Sequence, residues 1–133
     1  MAKVTAESAE MFAAKGADHI YSTIISKLRL LVGAKSVLVD PKQTCVHLIA
    51  QKGGTAFAGL HPRKNAVLVT LKLSEPLKSR RIRKTEKASA NRYHLDVLVA
   101  AKEEVNDELL GWLQSAWQLC MEKAKSKETK NKS

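Results

Sequence analysis

The sequence predicts a two-layer α+β domain, in which two N-terminal helices and a C-terminal helix pack on an antiparallel sheet of about five strands. Apolar residues recur at three- and four-residue spacing near both ends of the chain. In the middle of the chain they alternate with polar residues. The loops between the alternating segments are short, which favours antiparallel neighbours. One face of such a sheet packs on the helices, and the other faces solvent or a partner.

The first two elements are predicted to be helices. Residues 5–15 have helical propensity, and Gly16 is placed to end that helix in the left-handed conformation. Asp18 is placed to cap a second helix, and Gly33 to stop it. The second helix carries a broad apolar stripe of Ile20, Tyr21, Ile24, Ile25, Leu28, Leu31 and Val32.

The middle of the chain has the period of β-strands. A Gly53-Gly54 pair is predicted to form a hairpin turn, and residues 62–65 the turn after it. Apolar side chains alternate in the last two strands, so that one face of each is suited to a core. The predicted strands are residues 36–39, 44–51, 55–60, 66–73 and 92–99.

The final helix is predicted to start after Asn106, a good N-cap residue, with Asp107 and Glu108 at its positive end. Its inner face would carry Leu109, Leu113, Ala116 and Trp117 among others. After Met121 the sequence has nothing to bury. We therefore predict a single domain over residues 1–121 and a basic disordered tail over residues 122–133.

Positive charge is the clearest functional signal. Lys and Arg total 23 against 13 acidic residues, a formal charge of +10. The segment from Lys78 to Lys87, KSRRIRKTEK, holds six basic residues and one acid, Glu86. The like charges of such a block repel one another unless an anionic partner or the solvent screens them.

The expected location is the cytoplasm. The chain has only two cysteines, Cys45 and Cys120, which suits a reducing compartment. No apolar run is long enough to predict a membrane span, and none near the N-terminus resembles a signal peptide. We expect no membrane association.

Several fragments together resemble a bacterial family of small domains of unknown function, sometimes labelled "predicted transport protein". Where that family usually has a proline before the arginine matched by Arg81, this chain has Arg80. The resemblance implies the α+β fold and recurrent polar positions at Lys42, Thr44, Arg63, Arg81 and His94, but no established activity. The fragments are FAAK from Phe12, PKQT from Pro41, FAGLHPRK from Phe57, LKSRR from Leu77, YHL from Tyr93, and NDELLGWL from Asn106 followed by Ala116-Trp117.

These observations favour a non-enzymatic module that binds a polyanion, with nucleic acid as one candidate, through its phosphate backbone. Arginine presents a planar fork to phosphate, and lysine adds a point charge. The opposing interpretation is a solvated edge strand, whose cations block aggregation. The predicted anion-binding residues are Arg80, Arg81, Arg83, Lys84 and Lys87, with a second rim of Lys42, Arg63 and Lys64.

Two alternatives remain open at this point. One is a pocket for a small anionic ligand, or an unrecognised enzyme site, built from Lys42, Thr44, Arg63 and His94. The other is a structural module that dimerises through an exposed strand edge. His94 and Asp96 share a strand face, which would let them hydrogen-bond to each other. No ligand motif predicts a metal or a cofactor, and no residue is assigned a catalytic role.

Overall fold

The computed structural model describes the backbone of residues 10–51 and 54–132, and side chains as far as Glu122. It confirms the α+β class, with helices on one antiparallel sheet. Short 3₁₀ helices lie at Ala34–Ser36 and Lys102–Glu104. The α-helices are α1 (Asp18–Val32) and α2 (Asp107–Lys132), and the strands are β1 (Leu38–Pro41), β2 (Val46–Ile49), β3 (Ala56–Arg63), β4 (Ala66–Leu73), β5 (Ile82–Ser89) and β6 (Arg92–Val99).

The chain before α1 packs against that helix. Residues 10–13 are helical, and the start of the predicted first helix, residues 5–9, lies outside the described residues. Phe12 is buried, and its ring stacks on Tyr21 of α1 with 4.3 Å between the centroids. Gly16 has a φ of 74°, which confirms the left-handed conformation expected after a helix.

Helix α1 buries the first five members of the predicted stripe, from Ile20 to Leu28. Leu31 is an exception: it is 46% exposed, whereas its neighbour Val32 packs against the buried cluster. Asp18 is also not the cap. The N-cap is Ala17, and Asp18 is the first helical residue, where a carboxylate still favours the positive helix end.

The sheet has six strands rather than the five predicted, in the order β1-β2-β3-β4-β6-β5, and all neighbours are antiparallel. The additional strand is β5, which contains most of the basic segment. It is an edge strand on which only Ile82 is partly buried. An edge strand with one apolar contact has no alternating apolar pattern, so hydrophobic spacing did not place a strand there. A solvated edge strand was raised only as the opposing interpretation of the basic residues.

The bounds of the first three strands also differ from the prediction. Strand β2 is Val46–Ile49 rather than residues 44–51. Strand β3 continues through Arg63, so the expected turn at residues 62–65 is reduced to Lys64 and Asn65. Asn65 supplies the turn with a φ of 53°, a conformation that asparagine tolerates better than most residues. Strand β1 begins at Leu38, after the 3₁₀ turn. Gly53 of the predicted hairpin turn lies outside the described residues.

The core lies between one face of the sheet and the two α-helices. Ile20, Ile24 and Leu28 of α1 and Leu109 and Leu113 of α2 belong to the same buried cluster as the inward-facing strand residues. The register places these strand residues in rows that cross all six strands. One row is Pro41, Val46, Leu60, Val69, Val97 and Ile82, and the next is Val39, Leu48, Ala58, Leu71, Leu95 and Thr85.

Helix α2 begins as predicted, since Asn106 Oδ1 accepts a hydrogen bond from the backbone N–H of Leu109 at 3.1 Å. Trp117 fixes the helix to the chain before β1 by donating its indole N–H to the Ser36 carbonyl at 2.9 Å. The helical backbone runs past Met121 to Lys132. The division into a domain over 1–121 and a tail over 122–133 stays a prediction.

Candidate functional site

The basic segment forms the outer edge of the sheet. Strand β5 pairs with β6 on one side, and within the described sheet no strand pairs with its other side. Its register shifts between Ile82 and Lys84, where Arg83 is the extra residue of a bulge. All of its residues after Ile82 are exposed. We call residues 80–87 the basic edge.

One arginine of the basic edge is engaged within the fold. The Arg81 guanidinium donates through Nη1 to Asn106 Oδ1 at 3.0 Å and to Glu108 Oε1 at 3.1 Å, and through Nη2 to the Glu104 carbonyl at 2.8 Å. Its Cζ also lies 5.6 Å from the ring centroid of Trp112. Arg81 therefore fastens the start of β5 to the start of α2, and an incoming anion would compete with these contacts.

The other cations of the basic edge are freer. Lys84 lies 3.7 Å from Glu86, an exposed pair of little energetic weight. Arg80, Arg83 and Lys87 are exposed and form no hydrogen bond or ion pair with the described residues. Arg80 and Arg83 border an open cleft of about 430 Å³, whose lining also includes Glu103 and Glu104. The edge thus offers unpaired guanidinium groups in a setting of mixed charge.

The second predicted rim lies elsewhere. Lys42 pairs with Asp40 at 3.0 Å beside β1, and Arg63 donates to the adjacent Pro62 carbonyl at 3.0 Å. Strand β1 is the edge opposite β5. Five strand spacings of about 4.8 Å separate them by about 24 Å. Lys42 and the basic edge therefore do not form one continuous cationic surface.

The four residues of the predicted small-anion pocket do not converge. Lys42 and Thr44 lie in the loop between β1 and β2, and Arg63 lies at the end of β3. The register pairs Arg63 with Ala66 but His94 with Lys72, six residues further along β4, which corresponds to about 20 Å. His94 instead lines a separate cavity of about 230 Å³ with Lys72, Arg92 and Cys120.

The face of the sheet opposite the helices carries a mostly polar row of residues, unlike the apolar rows of the inner face. Across the six strands, the register aligns Asp40, His47, Gly59, Thr70, Asp96 and Lys84. No member of this row is a large apolar residue, whereas the two rows of the inner face are almost entirely apolar. We call these six residues the polar row. It connects the basic edge to the centre of the open sheet face.

Two histidines lie around the glycine at the centre of that face. A Cβ built on Gly59 would stand 3.3 Å from His61 Nε2, 3.9 Å from His47 Cδ2 and 3.9 Å from Thr70 Cβ. Thr70 donates its hydroxyl to Asp96 Oδ1 at 2.8 Å. The absence of a side chain at Gly59 gives both imidazoles access to the backbone of the sheet. A threonine–carboxylate pair lies beside them.

Both imidazoles favour the neutral form. Burial is the main cause that lowers the pKa of His47 below its ordinary value, with Lys42 and Lys72 adding to the effect and Asp40 opposing it. The pKa of His61 is also lowered, first by burial and then by Arg63 and His47, while Asp96 opposes the shift. At neutral pH each ring therefore offers one hydrogen-bond donor and one acceptor.

The sequence revealed only part of this face. His94 and Asp96 do lie on the same face of β6, but the hydrogen-bond partner of Asp96 is Thr70 rather than His94. His61 was not singled out because the predicted third strand ended one residue before it, at Leu60. The available signal was the spacing of Gly59 and His61, which places both on one face if the strand continues to Arg63.

The described residues also bear on metal binding and membrane insertion. Among the residues that the structure describes, no group of three or more His, Cys, Asp or Glu side chains is arranged to hold a metal ion. Over those same residues, no helix has the length and apolar character required to cross a membrane.

Comparison with known proteins gives a family but no activity. No curated protein and no solved structure matches the chain. A family described as "Domain of unknown function (DUF5655)" matches residues 10–120, which is most of the chain. That description names no function, so the label "predicted transport protein" is not confirmed. By this match the chain belongs to the DUF5655 family.

Proposed function

We propose that this domain is a non-enzymatic binding module for a polyanionic partner, which it contacts through the phosphate or other acidic groups of that partner. The observation that carries the proposal is the exposure of Arg80, Arg83 and Lys87 on the unpaired side of the sheet without partners among the described residues. Arginines that the fold itself does not use remain available to bind anions.

The charge of the whole molecule supports the same proposal. A formal charge of +10 attracts polyanions over a distance, and the basic edge is the densest cationic segment that the structure describes on the surface. The competing explanation is that these cations only prevent other strands from pairing with β5. That explanation predicts no saturable binding, so a binding experiment separates the two.

The experiment is a salt titration of nucleic-acid binding with two variants of equal charge. R80E/R83E reverses two free arginines of the basic edge, and K15E/K35E reverses two exposed lysines located near the two ends of α1. We expect R80E/R83E to weaken binding strongly and to reduce the slope of log K against log salt by about 2. K15E/K35E should reduce binding much less.

Equal losses in the two variants would attribute binding to net charge alone and would contradict a site at the basic edge. Circular dichroism confirms the folding of both variants before affinity is compared. Arg81 is left out of the charge reversal because its contacts hold β5 to α2, and its loss would mix stability with binding.

The proposed setting is the cytoplasm. Cys45 and Cys120 are both free thiols in the structure, which suits a reducing compartment. A polyanion such as nucleic acid is also most accessible there.

A further inference from the structure

The open face of the sheet suggests which kind of polyanion the domain binds. Resting on the proposed function, we propose that the partner is a single-stranded nucleic acid, one of whose unpaired bases stacks on the imidazoles of His47 and His61 beside Gly59. Asp96 accepts a hydrogen bond from an amino group of that base. The basic edge then holds the phosphates of the same strand.

Gly59 itself is buried, and the half-buried imidazoles beside it form the surface that a base can reach. Gly59 is flanked in its row by His47 and Thr70, and His61 Nε2 lies 3.3 Å from the position its Cβ would take. Neither imidazole forms a hydrogen bond with the described residues, so both ring edges are available to a ligand. Histidine rings are among the side chains on which unpaired bases stack in RNA-binding sheets.

The carboxylate in the middle of the face indicates base contact rather than phosphate contact. Asp96 repels phosphate, but it accepts hydrogen bonds from the amino groups of cytosine, adenine and guanine. The Thr70 hydroxyl occupies Oδ1, and no donor among the described residues reaches Oδ2. Thymine and uracil lack an exocyclic amino group and offer only the ring N3–H as a donor, so the site should bind them less tightly.

The two parts of the site lie within reach of one strand. Lys84 of the basic edge and Gly59 belong to the same polar row, three strand spacings apart, or about 14 Å. A few nucleotides of single strand span that distance. Lys72 and Arg63 lie near His47 and His61 and add positive charge around the base. A duplex keeps its bases stacked and paired, and therefore cannot place one against the two imidazoles.

The test compares three labelled probes by fluorescence anisotropy at pH 7.5: oligo-dC and oligo-dT of about ten nucleotides, and a duplex of the same length. We expect oligo-dC to bind most tightly. The H47A/H61A variant should weaken single-strand binding about tenfold or more, because stacking is lost. D96N should bring the affinities for oligo-dC and oligo-dT together. Neither variant should alter the salt slope.

Two matched controls lie on the same protein. Asp40→Asn removes the other carboxylate of the polar row, which already pairs with Lys42 at the far edge, and should leave the base preference unchanged. His19→Ala removes an exposed histidine of α1 on the opposite side of the molecule and should leave affinity unchanged. In the wild-type chain, the imidazole proton resonances of His47 and His61 should shift on titration with oligo-dC, whatever the variants do.

The outcomes separate this inference from the proposed function. If R80E/R83E weakens binding while duplex and single strands bind equally and H47A/H61A has no effect, the base site is wrong and the basic edge still binds a polyanion. If no probe binds the wild-type chain, both proposals fail. A concentration-dependent dimer in light scattering that H47A/H61A abolishes would assign the face to a second copy and overturn the inference.

Discussion

At the scale of single residues, Arg81 shows how a side chain that looks functional in the sequence can serve the fold. Its neighbours Arg80 and Arg83 have the same chemistry and are exposed, whereas the Arg81 side chain is only 21% exposed. All of its partners come from the segment between Glu104 and Trp112, more than twenty residues away. Sequence spacing gives no information about such partners.

Arg81→Ala should therefore destabilise the domain by about 2 kcal/mol, because three hydrogen bonds are lost together, one of which is also the ion pair with Glu108. Arg80→Ala should change the free energy of unfolding by less than about 0.5 kcal/mol, since it removes no partner. Urea denaturation monitored by circular dichroism measures both. Equal values for the two variants would show that the Arg81 contacts contribute nothing.

The Arg81–Glu108 pair itself should account for a minor part of that loss. Glu108 is 51% exposed, and pairs open to solvent contribute about 1 kcal/mol or less. In a double-mutant cycle of R81A and E108A, we expect a coupling energy below about 1 kcal/mol. A larger coupling would indicate that the ion pair, rather than the bonds to Asn106 and Glu104, fastens β5 to α2.

At the scale of elements, hydrophobic alternation predicted the core strands, whereas the edge strand was raised only as an alternative and without bounds. Strands β4 and β6 alternate apolar and polar residues because one face of each is buried, and both were found with their observed bounds. Strand β5 buries little beyond Ile82, so its alternation carries no hydrophobic signal. The polar row was also beyond prediction, since it depends on the register of six strands at once.

Ile82→Ala should loosen β5 specifically. Ile82 is the partly buried residue that packs this strand against the core, and its removal should cost about 1–2 kcal/mol. Native-state hydrogen exchange should accelerate for amides of residues 83–88, while those of β4 stay protected. Thr85→Ala is the matched control on the same face, because Thr85 is exposed. Equal acceleration in β4 would mean that β5 does not open separately.

At the scale of the whole molecule, the sheet divides the protein into a helix-covered core and an open polar face. The same alternation of side chains that builds the core on one face places histidine, threonine and aspartate on the other. The core and the proposed binding site therefore involve different faces of the same strands. Substitutions on the open face can change charge and protonation without removing apolar contacts from the core.

This separation predicts a particular pH dependence of stability. The pKa values of His47 and His61 are lowered in the folded state, so the unfolded chain binds protons at these positions more readily. Their contribution to stability is fully present above the ordinary histidine value of 6.5 and is lost as pH falls below it. Protonation would place two further cations beside Lys42, Lys72 and Arg63, with Asp40 and Asp96 as the opposing charges.

We therefore expect the urea midpoint of the wild-type chain to fall between pH 7.5 and pH 5, and the H47Q/H61Q variant to fall less over the same interval. Carboxylates titrate in both proteins, so the difference between the two curves isolates the histidines. Glutamine carries no titratable proton. At pH 5 the variant should therefore retain at least as large a fraction of its own pH 7.5 urea midpoint as the wild type does. Parallel curves would show that the open face does not disfavour protonation of these two imidazoles.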